Sequence, residues 1–564
     1  MTVQKLQPKL IRAMKNYTRK QFVADLTAGF IVAIIALPLS IALALASGVR
    51  PEQGIYTAIA AGFIVSLLGG SRVQIAGPTA AFATIVAGVV AHSGMEGLVV
   101  ATLMAGVMLI LMGLFRLGSL IKFIPLTITV GFTAGIAVSI AIGQMKDFLG
   151  IRYLSGLDTV ETLDKLKAVF LSFGSLNWQA MAVGLAALAV LIIWPRFSKK
   201  IPASLIAVLV GIFMVKALNM PVNTIGDLYQ INGGLPAVTW YPVSIGKMIA
   251  MFPDALTIAM LAAVESLLSC VVADGMINSR HNSNMELVAQ GFANIGSVLL
   301  GGIPATGAIA RTAANVKNGG RTPIAGMVHS VVLLLVLLVL MPYAALIPMP
   351  VIAAILFVVA YHMSEWRTFA RLCKKAPKSD ILVLVTTFVL TVTFDLVVAI
   401  GVGMILVCIL FVKRMSEQSD LRAWVDADQV EMGNGIEIPK STRVFELEGP
   451  LFFGVADKLG KGLYIDDCHC LILRMRSVNS VDISALHALE QIFASCHKRG
   501  IPMILSHLNA QPEAMLRKAG FLEKIGAENV CPTIRQALDR ARVIVNDPLP
   551  GGAENAAVPE AQTV

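Results

Sequence analysis

The chain has 564 residues, of which 56% are hydrophobic and only 14% carry charge. Globular domains carry about 25% charged residues, so this deficit excludes an ordinary soluble protein and points to a polytopic membrane protein, as does the mean hydropathy of +0.76. The net charge of +10 does not imply a nucleic-acid partner, because the Lys and Arg residues lie in short loops between apolar runs, as the positive-inside rule requires.

Residues 1–25 form a basic, amphipathic segment with no small-residue cleavage site before the first apolar run, so we read a cytoplasmic segment and no removable signal peptide. Apolar runs then follow at 26–46, 54–69, 76–91, 97–115, 120–142, 178–194 and 202–218. A second set lies at 252–273, 286–300, 306–316, 323–342, 346–361, 380–394 and 396–412. Several fall short of the roughly 20 residues that a full span needs, notably 76–91 and 306–316. Fourteen spans would return the chain to the cytoplasm at Lys413 and Arg414; charge alone also allows twelve. The inner loops would carry Arg72, Arg116 with Lys122, Arg196 with Lys199 and Lys200, Arg280, Lys317 with Arg321, and the cluster from Arg367 to Lys378. Asp395 would mark a loop between two short spans.

An internal repeat runs through the apolar part. GFIVSLLGG (62–70) matches GFANIGSVLLGG (291–302), and each is followed by a Gly/Pro-containing stretch and a TAA triplet, at Thr79 and at Thr312. Seven spans per half would make the halves inverted, and inverted repeats with interrupted segments at matching positions mark a secondary transporter with its site at the midplane.

Beyond Arg414, residues 415–441 read as a polar linker and 442–542 as a soluble α/β domain. TRVFELE, HCLILRM and IPMILSHL read as strands, and ALHALEQIFASCHKRG as an amphipathic helix closed by Gly500. The tail 543–564 has the composition of a disordered segment. The seven cysteines (Cys270, Cys373, Cys408, Cys468, Cys470, Cys496 and Cys531) are scattered, and the C-x-C at Cys468 has no second pair, so neither a disulfide framework nor a zinc site is expected.

The chemistry concentrates in the interrupted segments. Gly77 and Pro78 precede a short apolar helix, leaving Thr79, Ala80 and Ala81 in its first turn with free backbone N–H groups at the positive end of the dipole. Pro304 and Gly307 precede the matching turn from Ala308 to Thr312. Two such termini form an anion cradle without a fixed cation, with Ala80, Ala81, Ala308 and Ala310 small enough to admit a ligand; tight helix packing is the plainer reading of the same residues. Arg311 adds a positive charge beside the cradle. Glu265 lies midway along MLAAVESLLSCVVADG, with Ser269 one turn away. A charge at membrane depth costs roughly 2.5–3.5 kcal/mol on insertion scales and usually marks an ion or substrate path. A proton on Glu265 would neutralise charge during anion crossing; a sodium ion held by Glu265 and Ser269 is the rival, and a structural Glu265–Arg311 pair the plainest alternative. Gln144, Asn294 and Asn315 read as cross-helix bonds and His329 as a packing residue. No nucleotide loop, H-E-x-x-H or nucleophile–base pair is present, so we expect neither an enzyme nor a cofactor.

Over roughly residues 20–542 the chain resembles the SulP anion transporters (sulfate permeases; solute-carrier family 26 in animals). The resemblance is carried by ADLTAGFIVAIIALPLSIALALASGV, GPTAAF, HNSNMELVAQGFANIGSVLLGGIPATGAIARTAANV and a C-terminal domain similar to STAS domains. It implies an all-α membrane part of fourteen spans as 7+7 inverted repeats, divided into core and gate, a homodimer, elevator-type movement, and both termini cytoplasmic at a bacterial inner membrane. It places the anion between Gly77–Ala81 and Ala308–Thr312, with Glu265 as coupling residue. Sodium-coupled bicarbonate carriers in the family have Asp at the Glu265 position and no Arg at the Arg311 position. AIARTAANV is closer to proton-coupled carriers of C4-dicarboxylates such as succinate and fumarate, with sulfate a further expected substrate. SVDISALHALE resembles the STAS signature, where Ser484 matches a residue phosphorylated in soluble relatives; Asp482 and Ser484 are also ordinary helix starters. A cytoplasmic protein partner of this domain is a further expectation from the family.

Overall fold

The computed structural model describes residues 6–119, 125–154, 157, 161–198, 201–229, 234, 238, 244–394, 396–423, 438–439, 441–456, 458–459 and 468–546. Lys122, Lys199, Lys200, Asp395, most of the expected linker and the tail beyond 546 lie outside the described residues. The chain forms two compact units, Met1–Leu406 and Val407–Val564.

The first unit is helical, and its helices follow the apolar runs: α1 (Arg19–Ala46), α2 (Pro51–Leu68), α3 (Ala80–Leu114), α4 (Leu126–Leu149), α5 (Trp178–Phe197), α6 (Ala203–Ala217), α7 (Phe252–Ile277), α8 (Ser283–Leu299), α9 (Ile309–Lys317), α10 (Ile324–Ala344), α11 (Met349–Met363), α12 (Lys378–Thr393) and α13 (Leu396–Gln418). The runs at 76–91 and 97–115 both fall in α3, which breaks at Gly94, the residue with φ 66° and ψ −174°. Seven helical stretches among the described residues are long and apolar enough to cross a bilayer unaided. The last of these joins α11 to the amphipathic helix Trp366–Lys375 across a left-handed Glu365. α1 starts earlier than its apolar run because Thr18 caps it, accepting from the Gln21 N–H. Its Asp25 is buried and tied to the loop before α10, accepting from Arg321 N at 2.8 Å and Thr322 Oγ1 at 2.6 Å.

Two bundles share this unit. α1, α2, α3, α7, α8, α9 and α10 pack on one another, and α4, α5, α6, α11 and α12 form the second group. α13 joins the second, with Gly403 against Thr387 of α12 and Ile128 of α4. Small residues set the close approaches: a Cβ on Gly106 of α3 would meet the Gly291 carbonyl of α8 at 2.9 Å.

The first unit holds a two-stranded ladder of β1 (Ala76–Gly77) and β2 (Thr306–Gly307). The second unit holds a five-stranded sheet in the order β3–β4–β5–β6–β7: β3 (Asp420–Ala423), β4 (Thr442–Glu448), β5 (Cys470–Ser477), β6 (Met503–Ser506) and β7 (Val530–Cys531). β3 is antiparallel to β4 and the other pairs are parallel. Period-2 alternation feeds two cores. Phe445, Leu473 and Leu505 join the helix Ile483–Lys498, whereas Val444, Ile472 and Ile504 join the helix Ile534–Asn546. Residues 415–423 are not linker: 415–418 complete α13 and 420–423 form the edge strand. Strand pairing uses backbone groups, which a hydrophobicity reading does not weigh. The N-cap of Ile483–Lys498 is Asp482, which accepts from the Ala485 N–H at 2.8 Å. Ser484 is the second helical residue and half-buried.

Burial pushes the Cys470 thiol up to about 12 and the Cys496 thiol up to about 11, with neighbouring Cys468 adding to each. A free thiol titrates near about 8.5, so these groups hold almost no thiolate at pH 8 while folded. We expect Cys468, Cys470, Cys496 and Cys531 to resist alkylation at pH 8 and to react promptly after denaturation; mass-spectrometric mapping of the labelled peptides checks this.

Candidate functional site at the interrupted segments

The stretches 70–79 and 301–308 are not helical, and each places two residues in a short ladder. β1 (Ala76–Gly77) pairs antiparallel with β2 (Thr306–Gly307), Ala76 opposite Gly307 and Gly77 opposite Thr306. At membrane depth such peptide groups must find partners within the protein. The Ala308 N–H donates to the Ile75 carbonyl at 2.9 Å. The Asn294 amide closes on both peptide groups of Ala305, donating to its carbonyl and accepting from its N–H at 2.9 Å each. Thr57 Oγ1 accepts from the Ile303 N–H at 2.8 Å, and Asn315 donates to the Val73 carbonyl at 2.9 Å. Asn294 and Asn315 thus bond to unwound backbone.

α7 lies along this ladder and presents polar side chains to it. Ser266 Oγ is 2.7 Å from Thr306 Oγ1 and accepts from the Gly307 N–H at 3.0 Å. Gln74 donates to the Ser266 carbonyl at 3.3 Å and accepts from the Cys270 thiol at 2.6 Å. Ser269 donates to Thr312 Oγ1 at 3.3 Å, and the same oxygen accepts from the Ile75 N–H at 3.1 Å. Ser269 therefore braces the ladder, and no hydrogen bond joins it to Glu265. Glu265 instead accepts from Thr79 Oγ1 at 2.8 Å.

That bond bears on the helix termini. Thr79 is the N-cap of α3, but its side chain does not cap the helix. Ala308, the N-cap of α9, has no polar side chain to do so. Both helices thus start with donors that no side chain satisfies, which is the condition for an anion cradle. Pro78, Ala80, Ala81 and Ala308 are buried, Thr79 is half-buried and Ala310 is exposed. The two TAA triplets are not equivalent: Thr79 is an N-cap, whereas Thr312 lies inside α9, with Ala308 in the N-cap place. The composition match therefore sets the second triplet four residues past its N-cap, whereas the first begins at its N-cap.

Arg311 is 1% exposed and is the largest fully buried side chain among the described residues. Its Nη2 donates to the Pro78 carbonyl at 3.1 Å, while Nε and Nη1 have no partner. No ion pair joins it to Glu265. The two charges serve different partners around the start of α3, Glu265 the Thr79 hydroxyl and Arg311 the Pro78 carbonyl. A cavity of about 570 Å³ opens at the seam of the two bundles, bordered by Ala83 and Thr84 of α3, Gln144 of α4, Thr257 of α7 and Thr391 of α12. Its border on α3 begins at Ala83, one helical turn beyond Thr79, and includes neither Glu265 nor Arg311.

The sulfate permease family model matches residues 22–387, and the STAS domain model matches 435–537. The chain belongs to the sulfate permease family. It is similar to the candidate sulfate transporter YvdB of Bacillus subtilis, 41% identical over 91% of this chain and 97% of that one. It is also similar to the bicarbonate transporter BicA of Picosynechococcus, 31% identical over 92% and 94%. Its fold is similar to that of the murine solute carrier 26 family member A9 anion transporter in the inward-facing state (TM-score 0.85, 19% identity, 95% and 94% of the two chains covered). Family membership makes this chain a multi-pass anion transporter with a C-terminal STAS domain, and not an enzyme.

Sequence reasoning singled out Glu265, Arg311 and the two helix starts, and missed Gln74, Ser266, Thr306 and the role of Asn294. The only signal for these was the polar content of short apolar stretches. A Cβ on Gly77 would collide with Arg311 Nη1. Overpacking of this kind costs about 1–3 kcal/mol, and here it must be relieved by moving a buried guanidinium off Pro78. We expect Gly77→Ala to lower transport at least about tenfold, whereas Gly275→Ala, where a Cβ meets nothing within 4 Å, leaves it near wild type; initial uptake rates at matched protein levels check this.

Proposed function

We propose that the chain is a proton-coupled secondary transporter that carries a small anion at the feet of α3 and α9, with a C4-dicarboxylate (succinate, fumarate) or sulfate as substrate. The observation that carries this reading is the separate placement of the two charges. Arg311 keeps two donors without partners beside uncapped helix starts, and Glu265 touches the N-cap of α3 without a cation beside it. An anion takes the donors, and a proton on Glu265 cancels part of its charge during the crossing. A passive channel or uncoupled exchanger gains little from a carboxylate at this point.

The ladder, α7 and α9 belong to one bundle and the cavity lies at the seam with the other. This suits alternating access by movement of the first bundle as a core against the second as a gate, in an elevator manner and as a homodimer. With basic inner loops both termini face the cytoplasm, at the inner membrane of a bacterium. Ser484 sits in the first turn of its helix, where a phosphate would meet the positive end of the dipole and alter a contact with a cytoplasmic partner. A second substrate reading, bicarbonate, is favoured by the 31% identity to BicA.

Uptake into proteoliposomes with an inward proton gradient and no sodium, with labelled succinate, fumarate, sulfate and bicarbonate side by side, tests the proposal. Accumulation that collapses with the gradient supports it and identifies the anion; accumulation that requires sodium overturns the coupling. We expect Glu265→Gln to abolish gradient-driven accumulation while anion exchange continues, and wild-type accumulation by this variant would remove Glu265 from the coupling. We expect Arg311→Ala to raise half-saturation at least about tenfold; an unchanged value would remove Arg311 from the anion site.

A further inference from the structure

α10 carries His329, which is fully buried and has no partner at either ring nitrogen. Its ring lies against Gly62 of α2, a residue that also faces the ladder. A Cβ on Gly62 of α2 would lie 3.5 Å from His329 Cδ2 and 3.4 Å from the carbonyl oxygen of Ala76 in β1. Arg311 approaches the same surface from α9. Its Nη1 lies over Gly77, also in β1, and a Cβ on Gly77 would meet Ala58 of α2, one turn before Gly62. The two side chains thus cover neighbouring parts of one patch formed by β1 and the 58–62 face of α2.

Four nitrogens without partners lie here: Nε and Nη1 of Arg311, and Nδ1 and Nε2 of His329. Leaving a buried polar group unsatisfied costs about 1–3 kcal/mol, so the cluster is not neutral packing. Its chemistry is complementary. A guanidinium only donates, while a neutral imidazole accepts at one nitrogen and donates at the other. Beside a permanent cation the neutral form is the one that pairs. A water held between them would have the polar partners that buried waters require.

We propose that His329 is a positioning residue for Arg311: its neutral imidazole accepts, through a bound water, from the Arg311 guanidinium and holds it against Pro78 at the foot of α3. The guanidinium then meets the anion already oriented, so affinity does not bear the cost of ordering a long side chain. This rests on the reading of Arg311 as part of the anion site.

The test is concentration-dependent uptake of whichever of sulfate, bicarbonate, succinate or fumarate the wild-type proteoliposomes accumulate. His329→Leu removes both nitrogens, and His329→Gln keeps one donor and one acceptor. We expect His329→Leu to raise half-saturation about tenfold with the maximal rate within about twofold, His329→Gln to stay within about threefold of wild type, and His329→Leu to add nothing in an Arg311→Ala background. His329→Met, unbranched and close in volume, replaces the Leu variant should that protein fail to elute as wild type. An equal rise in both backgrounds, no rise at all, or a Gln variant as impaired as the Leu variant while eluting normally overturns the proposal. Unchanged affinity in Arg311→Ala alone is the distinct result that fails the anion-site reading, and the role of His329 falls with it.

Discussion

Everything at the centre of the membrane unit depends on satisfying peptide groups that have left their helices. A bilayer offers no water to an unwound segment, and a ladder of two residues per strand supplies few bonds of its own. The remainder come from side chains. Ser266 and Gln74 hold the ladder to α7, Asn294 clamps Ala305 from α8, Thr57 holds Ile303 from α2, and Asn315 reaches Val73 from α9. Four helices thus fix one short turn pair, which holds the starts of α3 and α9 in place although neither stretch before them is regular. Electrostatic recognition by helix termini requires this fixity, since a donor that must first be ordered gives up part of what it gains.

The separation of Glu265 and Arg311 follows from the same scaffold. Had they paired, each would have satisfied the other, and a closed buried pair has no open valence for a ligand or a proton. Here α7 delivers Glu265 to the hydroxyl of Thr79, and α9 delivers Arg311 to the carbonyl of Pro78. The hydroxyl that would ordinarily cap α3 is turned to the carboxylate. Protonation at Glu265 and the state of the α3 terminus therefore share one atom, Thr79 Oγ1. On the proposed reading of Glu265 as the proton site and the α3 start as part of the anion site, that shared atom is the short physical link that coupling requires.

Much of this was legible in the sequence for physical reasons. Apolar runs mark helices because length and hydropathy are bilayer requirements, and ionisable residues inside them stand out because they are costly. Glu265 and Arg311 were found that way, and the Gly/Pro interruptions gave away the two helix starts. The hydrogen bond from Ser269 to Thr312 was not legible, because i,i+4 spacing from Glu265 fixes a face of the helix without fixing a partner. Gln74, Ser266 and Thr306 are ordinary polar residues whose importance lies in pairing across distant segments, which no local pattern reports. The TAA triplets misled because Thr and Ala recur freely in such segments, while the N-caps, Thr79 and Ala308, set the true correspondence. Strand β3 was read as linker because an edge strand is held by backbone bonds.

The glycines bear on an alternative that composition left open, between an anion cradle and close helix packing. A Cβ at Gly77 would strike the Arg311 guanidinium, one at Gly307 the Gln74 amide, and one at Gly62 would lie 2.7 Å from Ser330 Oγ beside the His329 ring. In each case the atoms displaced are polar side-chain groups laid against backbone. These positions are small so that charged and hydrogen-bonding groups can reach the ladder from behind, and the packing is what places them there. Close packing and polar contact are accordingly one device: the absence of three side chains admits the Arg311 guanidinium, the Gln74 amide and the Ser330 hydroxyl beside an otherwise apolar turn.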